Sequence, residues 1–379
     1  MRSSSPRRLR IAIVVASLRI LGGQAVQAQR LLDGWASDPD VEAWIVPINP
    51  IPPKPFRSLL RVKYLRTIVT QLCYWPLLVR ELRRADVVHI FSASYSSFLL
   101  APLPAILVGR AFGKPVLLNY HSGEAMDHLR RSRIARATLQ RHVDLNVVPS
   151  PYLENVLARF GIPAMVVSNT VDRRAFPYRV RNLRRRPITL ISTRNFEPLY
   201  NVACTLRAFA RVQAKCPDVS LVLVGTGSQE LALKQLATEL RLRHITFAGS
   251  VSPSQIAACY AAADLYVQTP SVDNMPLSVL EAFASGLPVV STNVGGVSAV
   301  LTDGVHGLLA HHDDPESVAA RIFELIDHPD YARQLAAAAY EMCARYDWPR
   351  VRELWLAAYR RLAPANRPAP SPIELQRSA

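Results

Sequence analysis

Two carboxylates stand eight residues apart in segment 270–296, Asp273 in a polar run and Glu281 in the helix that the pattern starts near Pro276. Gly286 stops that helix, and Pro288-Val-Val-Ser291 reads as a buried strand. A loop running onto a helix start presents unpaired backbone N–H groups, here those of Leu277 and Ser278, to an anion. A carboxylate beside such a site can accept hydrogen bonds from hydroxyls. Phosphate and hydroxyls carried by one ligand describe a nucleotide-sugar. An ordinary helix–turn–strand unit with surface acids leaves unexplained why this spacing coincides with Gly286-Leu-Pro288 and Gly295-Gly296.

Other residues fit the same chemistry. Gly22-Gly23 lies between a first strand and a helical run from Gln24, where glycine permits close backbone approach and the helix start favours an anion. The pair does not fit Gly-x-Gly-x-x-Gly, so no nicotinamide fingerprint is present; Leu223-Val-Gly-Thr-Gly227 has Glu230 where a third glycine belongs and reads as structural. His121 follows the strand expected at Val116–Leu118, at a strand end that faces the ligand crevice of α/β proteins. His89, inside Val87-Val-His-Ile-Phe91, reads as structural, and His311-His312 lacks further metal-ligand spacing.

The run Glu281-Ala-Phe-Ala-Ser-Gly-Leu-Pro-Val-Val290, with a carboxylate eight residues before it, resembles the signature of retaining glycosyltransferases of family 4. That family carries Glu, seven residues and Glu; here Asp273 takes the first position. The resemblance runs from Ile11 to about Trp348 and implies a GT-B fold, two Rossmann-like α/β domains facing each other across a cleft. It implies transfer of a sugar from a UDP- or GDP-sugar to a hydroxyl of a glycan or lipid-linked acceptor, with retention and with no cofactor or metal. Catalytic roles fall on His121 and Asp273. Donor binding falls on Gly22, Gly23, Arg194, Val251, Asn274, Leu277, Ser278 and Glu281, with Glu281 on the ribose, Arg194 on the diphosphate and the Val251 loop at the base. Glu124 stands on the acceptor side. Asn169-Thr-Val-Asp172 with Phe176 resembles the family's domain junction. One departure is plain: the family places a Lys shortly after the arginine, and here Pro198-Leu-Tyr-Asn201 stands instead. That departure and Asp273 keep two other readings open, a non-catalytic nucleotide-sugar-binding protein and an epimerase on the same fold.

These residues need a scaffold, and the chain supplies one. Its 379 residues exceed one comfortable core, and half are hydrophobic. Short apolar runs alternate with helical stretches, the mark of a parallel α/β architecture. Strands are expected at 10–16, 43–46, 87–91, 116–118, 145–148 and 164–167, then at 188–192, 221–224, 245–248, 265–268, 289–291 and 307–309. The expected organisation is an N-terminal acceptor-side domain over 1–171, an Arg- and Pro-rich linker over 172–187 about which the domains close, and a nucleotide-sugar domain over 188–348. A helix over 349–363 returns to the first domain, and the Pro-rich tail 364–379 is expected to be disordered.

The charge is +16, with 45 Lys and Arg against 29 Asp and Glu, which favours anionic partners; no nucleic-acid recognition motif accompanies it. Arginines gather in 2–10, 57–84, 130–141 and 173–186. In 57–84 they interleave with apolar residues, Tyr74 and Trp75, as in a basic amphipathic helix on an anionic membrane or in a helix with one core face and one solvated basic face. Five scattered cysteines argue against a disulfide framework and fit a reducing, cytoplasmic setting, peripheral to the membrane if the basic helix binds it. Arg7-Arg8 followed by Ile11–Leu18 imitates a signal peptide, but Arg19 interrupts the run and a first strand is expected instead. No stretch approaches the length of a membrane span.

Overall fold

The computed structural model describes residues 8–19 and 22–363; the tail 364–379 and the first arginines of the 2–10 cluster lie outside the described residues. All twelve expected strands form, with ends shifted by a residue or two. The first six are β1 (Leu9–Val15), β2 (Val41–Pro47), β3 (Val87–Phe91), β4 (Val116–Asn119), β5 (Leu145–Val148) and β6 (Ala164–Val166), paired in parallel in the order β2-β1-β3-β4-β5-β6. The second six are β7 (Thr189–Ser192), β8 (Ser220–Val224), β9 (Ile245–Gly249), β10 (Leu265–Gln268), β11 (Val289–Thr292) and β12 (Leu308–Ala310), parallel in the order β12-β11-β10-β7-β8-β9.

The chain divides into two compact units. Unit 1 takes in the chain up to Val148, Glu154–Val167 and the chain from Arg352; unit 2 takes Pro149–Leu153 and Ser168–Val351. In unit 2 most strands read as continuous apolar runs because both sheet faces are covered, whereas edge strand β9 alternates half-buried and exposed residues. Alternate residues serve opposite cores: Leu190, Leu223 and Val267 join one, and Ile191, Val224 and Tyr266 the other. Strand order reverses between β7 and β10, and in open α/β sheets the crevice at such a switch point, outside the strands' carboxyl ends, takes the ligand. In unit 1 the corresponding point lies between β1 and β3.

The stretch 172–187, expected as a linker, lies within unit 2. Phe176 and Leu183 are buried, and the Arg181 guanidinium donates to the carbonyls of Tyr260 and Ser285 at 3.1 and 3.2 Å. Its arginine-rich composition hides isolated apolar anchors that follow no helical or strand period.

In unit 1 the last helix, Trp348–Leu362, lays Trp355 and Tyr359 against His89 of β3. His89 is fully buried; its Nδ1 lies 2.9 Å from Tyr359 Oη, and the Asn119 amide nitrogen is 3.3 Å from its Nε2. With Asn119 donating to Nε2, Nδ1 carries the ring proton and donates to the phenol oxygen. Arg352 of the same helix bridges Asp38 at 2.5 Å and Asp40 at 2.8 Å.

Candidate functional site

Arg194 emerges two residues after β7, at the switch point of unit 2. The backbone there is braced by the β8 loop: Gly225 has φ +152°, and a Cβ on it would stand 2.2 Å from the Arg194 carbonyl oxygen. The guanidinium turns inward. It lies 3.9 Å from the Tyr200 ring centroid, donates from Nη1 to Ser278 Oγ at 3.0 Å and from Nη2 to Asp273 Oδ2 at 2.6 Å. Burial works to lower its pKa, but Asp273 and then Tyr200 more than reverse this, so the group is held firmly charged.

Asp273 sits in the loop after β10, also at the switch point. Its Oδ1 accepts from the Asn274 N–H at 2.8 Å, and its carbonyl accepts from the Gly296 N–H at 2.9 Å. This second bond explains the glycine pair. Gly295 adopts φ +55°, and side chains at 295 and 296 would strike the carbonyl oxygens of Asp273 and Asn274 at 2.1 and 1.9 Å. Asn274 is buried.

The helix Leu277–Ala284 starts next, with Pro276 at its cap and no side-chain cap bond. The first N–H groups of a helix have no carbonyl within it, and those of Leu277 and Ser278 begin this one beside Arg194. From Ser278 onward every residue of the helix is buried. One turn in, Glu281 accepts from Tyr260 Oη at 3.0 Å, and Thr193 Oγ1 lies 2.6 Å from the same phenol oxygen. Burial first, then the charge of Glu281, raises the Tyr260 pKa well above its ordinary value, so the phenol stays protonated and donates. Ser278 Oγ is steadied by Gln268 Oε1 at 3.2 Å.

Arg194, Asp273, Asn274, Leu277, Ser278 and Glu281 thus gather around the start of one helix. Val251 stands apart in the loop after β9, half-buried against the core under that helix. Gly22, Gly23, His121 and Glu124 belong to unit 1. Gly22 caps the helix Gly23–Trp35 in extended conformation, and an added Cβ would meet nothing within 4 Å. His121 follows β4, stacks on Phe91 with ring centroids 5.2 Å apart, and its N–H donates to Ser92 Oγ at 3.3 Å. Burial lowers its pKa, which keeps the ring neutral. Glu124 is exposed just before the helix Ala125–Arg131.

Tyr200, Tyr260, Thr193 and Gln268 escape sequence reading, because an aromatic or amide within an apolar run looks like core. Tyr200 alone carries a signal, since it falls in the stretch where the expected lysine is missing. The assembled group can do two things: a buried, permanently charged guanidinium and unpaired N–H groups can hold an oxyanion, and two carboxylates can accept hydroxyl protons.

Comparison with known proteins shows what the chain is similar to. The family model "Glycosyl transferases group 1" matches residues 178–342, and "Glycosyltransferase Family 4" matches residues 21–175. Glycogen synthase of Mycobacterium tuberculosis is 26% identical over 295 residues, covering 73% of this chain and 70% of its own. Phosphatidyl-myo-inositol mannosyltransferase of Mycolicibacterium smegmatis is 26% identical over 285 residues, covering 69% and 68%. Among solved structures, HepE of Anabaena in complex with UDP-glucose matches 94% of this chain and 100% of its own with a TM-score of 0.74 at 17% identity, a likeness of fold.

Proposed function

The chain belongs to the glycosyltransferases of family 4, on the GT-B fold, and from that premise we propose that it moves a sugar, with retention, from a UDP- or GDP-sugar to a hydroxyl of a glycan or lipid-linked acceptor. The observation that carries the reading is the buried Arg194 guanidinium beside the start of helix Leu277–Ala284, with Asp273 on one side and Glu281 one turn in.

The diphosphate sits on Arg194 and the N–H groups of Leu277 and Ser278. As the bond from the anomeric carbon to the diphosphate breaks, negative charge grows on the leaving oxygens, and donors fixed in place before reaction stabilise it without reorganising. The acceptor oxygen bonds to the anomeric carbon on the face from which the diphosphate leaves, and the hydroxyl proton passes to the departing diphosphate oxygen, which leaves as part of the nucleoside diphosphate. Glu281 accepts from the ribose hydroxyls; the protonated Tyr260 orients it. Asp273 and the Asn274 segment hold sugar hydroxyls. Tyr200 supports the face of the guanidinium but adds no charge, so neutralisation rests on Arg194 and the helix start. In unit 1, neutral His121 serves the sugar at its reacting carbon, the Gly22-Gly23 turn lies close to ligand, and Glu124 serves the acceptor. The two carboxylates bind rather than hydrolyse: each is held by a fixed donor, Asp273 by Arg194 and Glu281 by Tyr260, and accepts hydrogen bonds from hydroxyls with its remaining lone pairs rather than attacking the sugar carbon. A glycan acceptor and a lipid acceptor are both supported by relatives, one named for glycogen and one for phosphatidyl-myo-inositol.

The test is a panel of UDP- and GDP-sugars scored by thermal shift, since a bound donor raises apparent stability by mass action. The stabilising donor is then incubated with acceptor extracts, and the anomer of the product is read by NMR coupling. Glu281→Ala should weaken that donor roughly 10- to 100-fold by calorimetry, the cost of a lost charge-assisted hydrogen bond. Binding without release of nucleoside diphosphate in any extract would establish a binding protein instead; turnover without acceptor would establish an epimerase; an inverted anomer would end the claim of retention.

A further inference from the structure

The helix Lys63–Leu82 carries two apolar faces where folding needs one. One side enters the core of unit 1: Val69, Tyr74, Leu78 and Leu82 are buried, and Tyr74 Oη donates to the Ala101 carbonyl at 3.0 Å. The other side is Tyr64, Ile68, Leu72, Trp75 and Val79, at spacings of four, four, three and four residues, which puts them on one face. They are 77, 56, 70, 43 and 41% exposed. Phe56 and Val62, just before the helix, are exposed too. Single exposed apolar residues are ordinary, but a continuous stripe of five along a 20-residue helix marks a surface that meets something.

The charge around the stripe selects the partner. Between residues 51 and 84 there are eight Lys and Arg and one acid, Glu81, which is taken up by Arg80 and Arg84. A second copy docking face to face would set arginine against arginine. Nucleic acid would use the arginines and leave the leucine and isoleucine in water. A bilayer with anionic headgroups satisfies both at once, taking the apolar stripe into the acyl boundary, Trp75 and Tyr64 at the interface and the arginines on lipid phosphates. Among the described residues no helix is long and apolar enough to cross a membrane, so the helix would lie along the surface. We propose that the exposed stripe of helix Lys63–Leu82 inserts into the headgroup region of an anionic lipid bilayer and holds the protein there. The sequence pattern left open whether the arginines of this segment alone faced outward; the structure adds that an apolar stripe faces outward with them.

The proposal stands or falls separately from sugar transfer. Its test is sedimentation of the full chain with vesicles of phosphatidylcholine, with and without phosphatidylglycerol. The protein should pellet with the anionic vesicles, and Ile68→Ser/Leu72→Ser/Trp75→Ser should lower partitioning about tenfold or more, as expected when apolar burial contributes beside charge. Circular dichroism should match the parent and unfolding should stay cooperative, because Ile68 and Leu72 are mostly exposed and Trp75 is covered only in part; Leu72→Ser alone, with the parent's thermal unfolding, should give a smaller loss of partitioning of the same sign. Lipids brominated in the acyl chain should quench the parent's fluorescence more than that of Trp75→Phe. Failure to pellet overturns the proposal. So does a triple variant that pellets like the parent, which would leave only arginine attraction, or light scattering that shows a vesicle-free dimer lost in the triple variant, which would assign the stripe to a second copy.

Discussion

With the donor bound as proposed, Asp273 and a phosphate oxygen would compete for Arg194 Nη2. The carboxylate holds Arg194 Nη2 at 2.6 Å, with both side chains nearly buried, so a diphosphate brought to that nitrogen meets a negative charge already in position. Asp273→Asn keeps an acceptor for the guanidinium and removes the charge. A nucleoside diphosphate without sugar should therefore bind about tenfold tighter by calorimetry, a change of about 1.4 kcal/mol. Turnover should fall by two orders of magnitude or so as the contact to the sugar hydroxyls weakens. Unchanged affinity for the nucleoside diphosphate would separate Asp273 from the phosphate position. At this scale the charged members of the candidate site were legible, Asp273 and Glu281 by their spacing before Gly286-Leu-Pro288 and Arg194 through the family resemblance. Tyr260 was not: inside Ile256-Ala-Ala-Cys-Tyr-Ala261 a phenol reads as packing, and only its bond to Glu281 shows otherwise.

The elements hold these residues by close backbone approach, and two glycines separate that role from ligand contact. At Gly296 a methyl group would stand 1.9 Å from the Asn274 carbonyl oxygen, so the loop that carries Asp273 has to shift. Gly296→Ala should cost about 2–4 kcal/mol of stability in denaturant unfolding and weaken donor binding together with it. Gly22 is the converse case. Its backbone is extended and an added Cβ touches nothing within 4 Å, so Gly22→Ala should leave stability within about 0.5 kcal/mol. A loss of turnover in that variant would report the ligand's own approach to Gly22, and full activity would remove Gly22 from the site. All twelve strands could be read from the sequence because most are short apolar runs covered on both faces, even though the edge strands β2 and β9 carry exposed positions at Glu42, Thr246 and Ala248. The segment 172–187 could not, since its buried Phe176 and Leu183 are separated by arginines and prolines that look solvated. Nor could the outward stripe of helix Lys63–Leu82, because periodicity finds an apolar face without saying whether it meets core or solvent.

On the scale of the whole molecule, unit 1 is assembled from both ends of the chain, and His89 lies where the last helix closes on the sheet. Its ring is fully buried against Phe91, Trp355 and Tyr359. Burial, and secondarily the neighbouring His121, pushes its pKa down from 6.5 to about 3. A protonated ring at Nε2 would also lose its acceptor for Asn119. Well above pH 6.5 the ring is neutral in folded and unfolded chains alike, and pH does not act through it. Between 6.5 and about 3 the unfolded chain binds a proton that the folded chain refuses, so stability falls as pH falls. The slope from this one group approaches about 1.4 kcal/mol per pH unit well below the unfolded value. Burial lowers His121 and His128 also, so they add to the slope with the same sign. The difference between the parent and His89→Gln isolates His89, because glutamine does not titrate and every other group is common to both. Chemical denaturation across this range should show the parent losing stability more steeply than His89→Gln by the equivalent of about one proton, whatever the variant's stability at neutral pH. Parallel curves would mean that the ring takes its proton while still folded, and that the contact between the last helix and β3 opens in acid before the molecule unfolds.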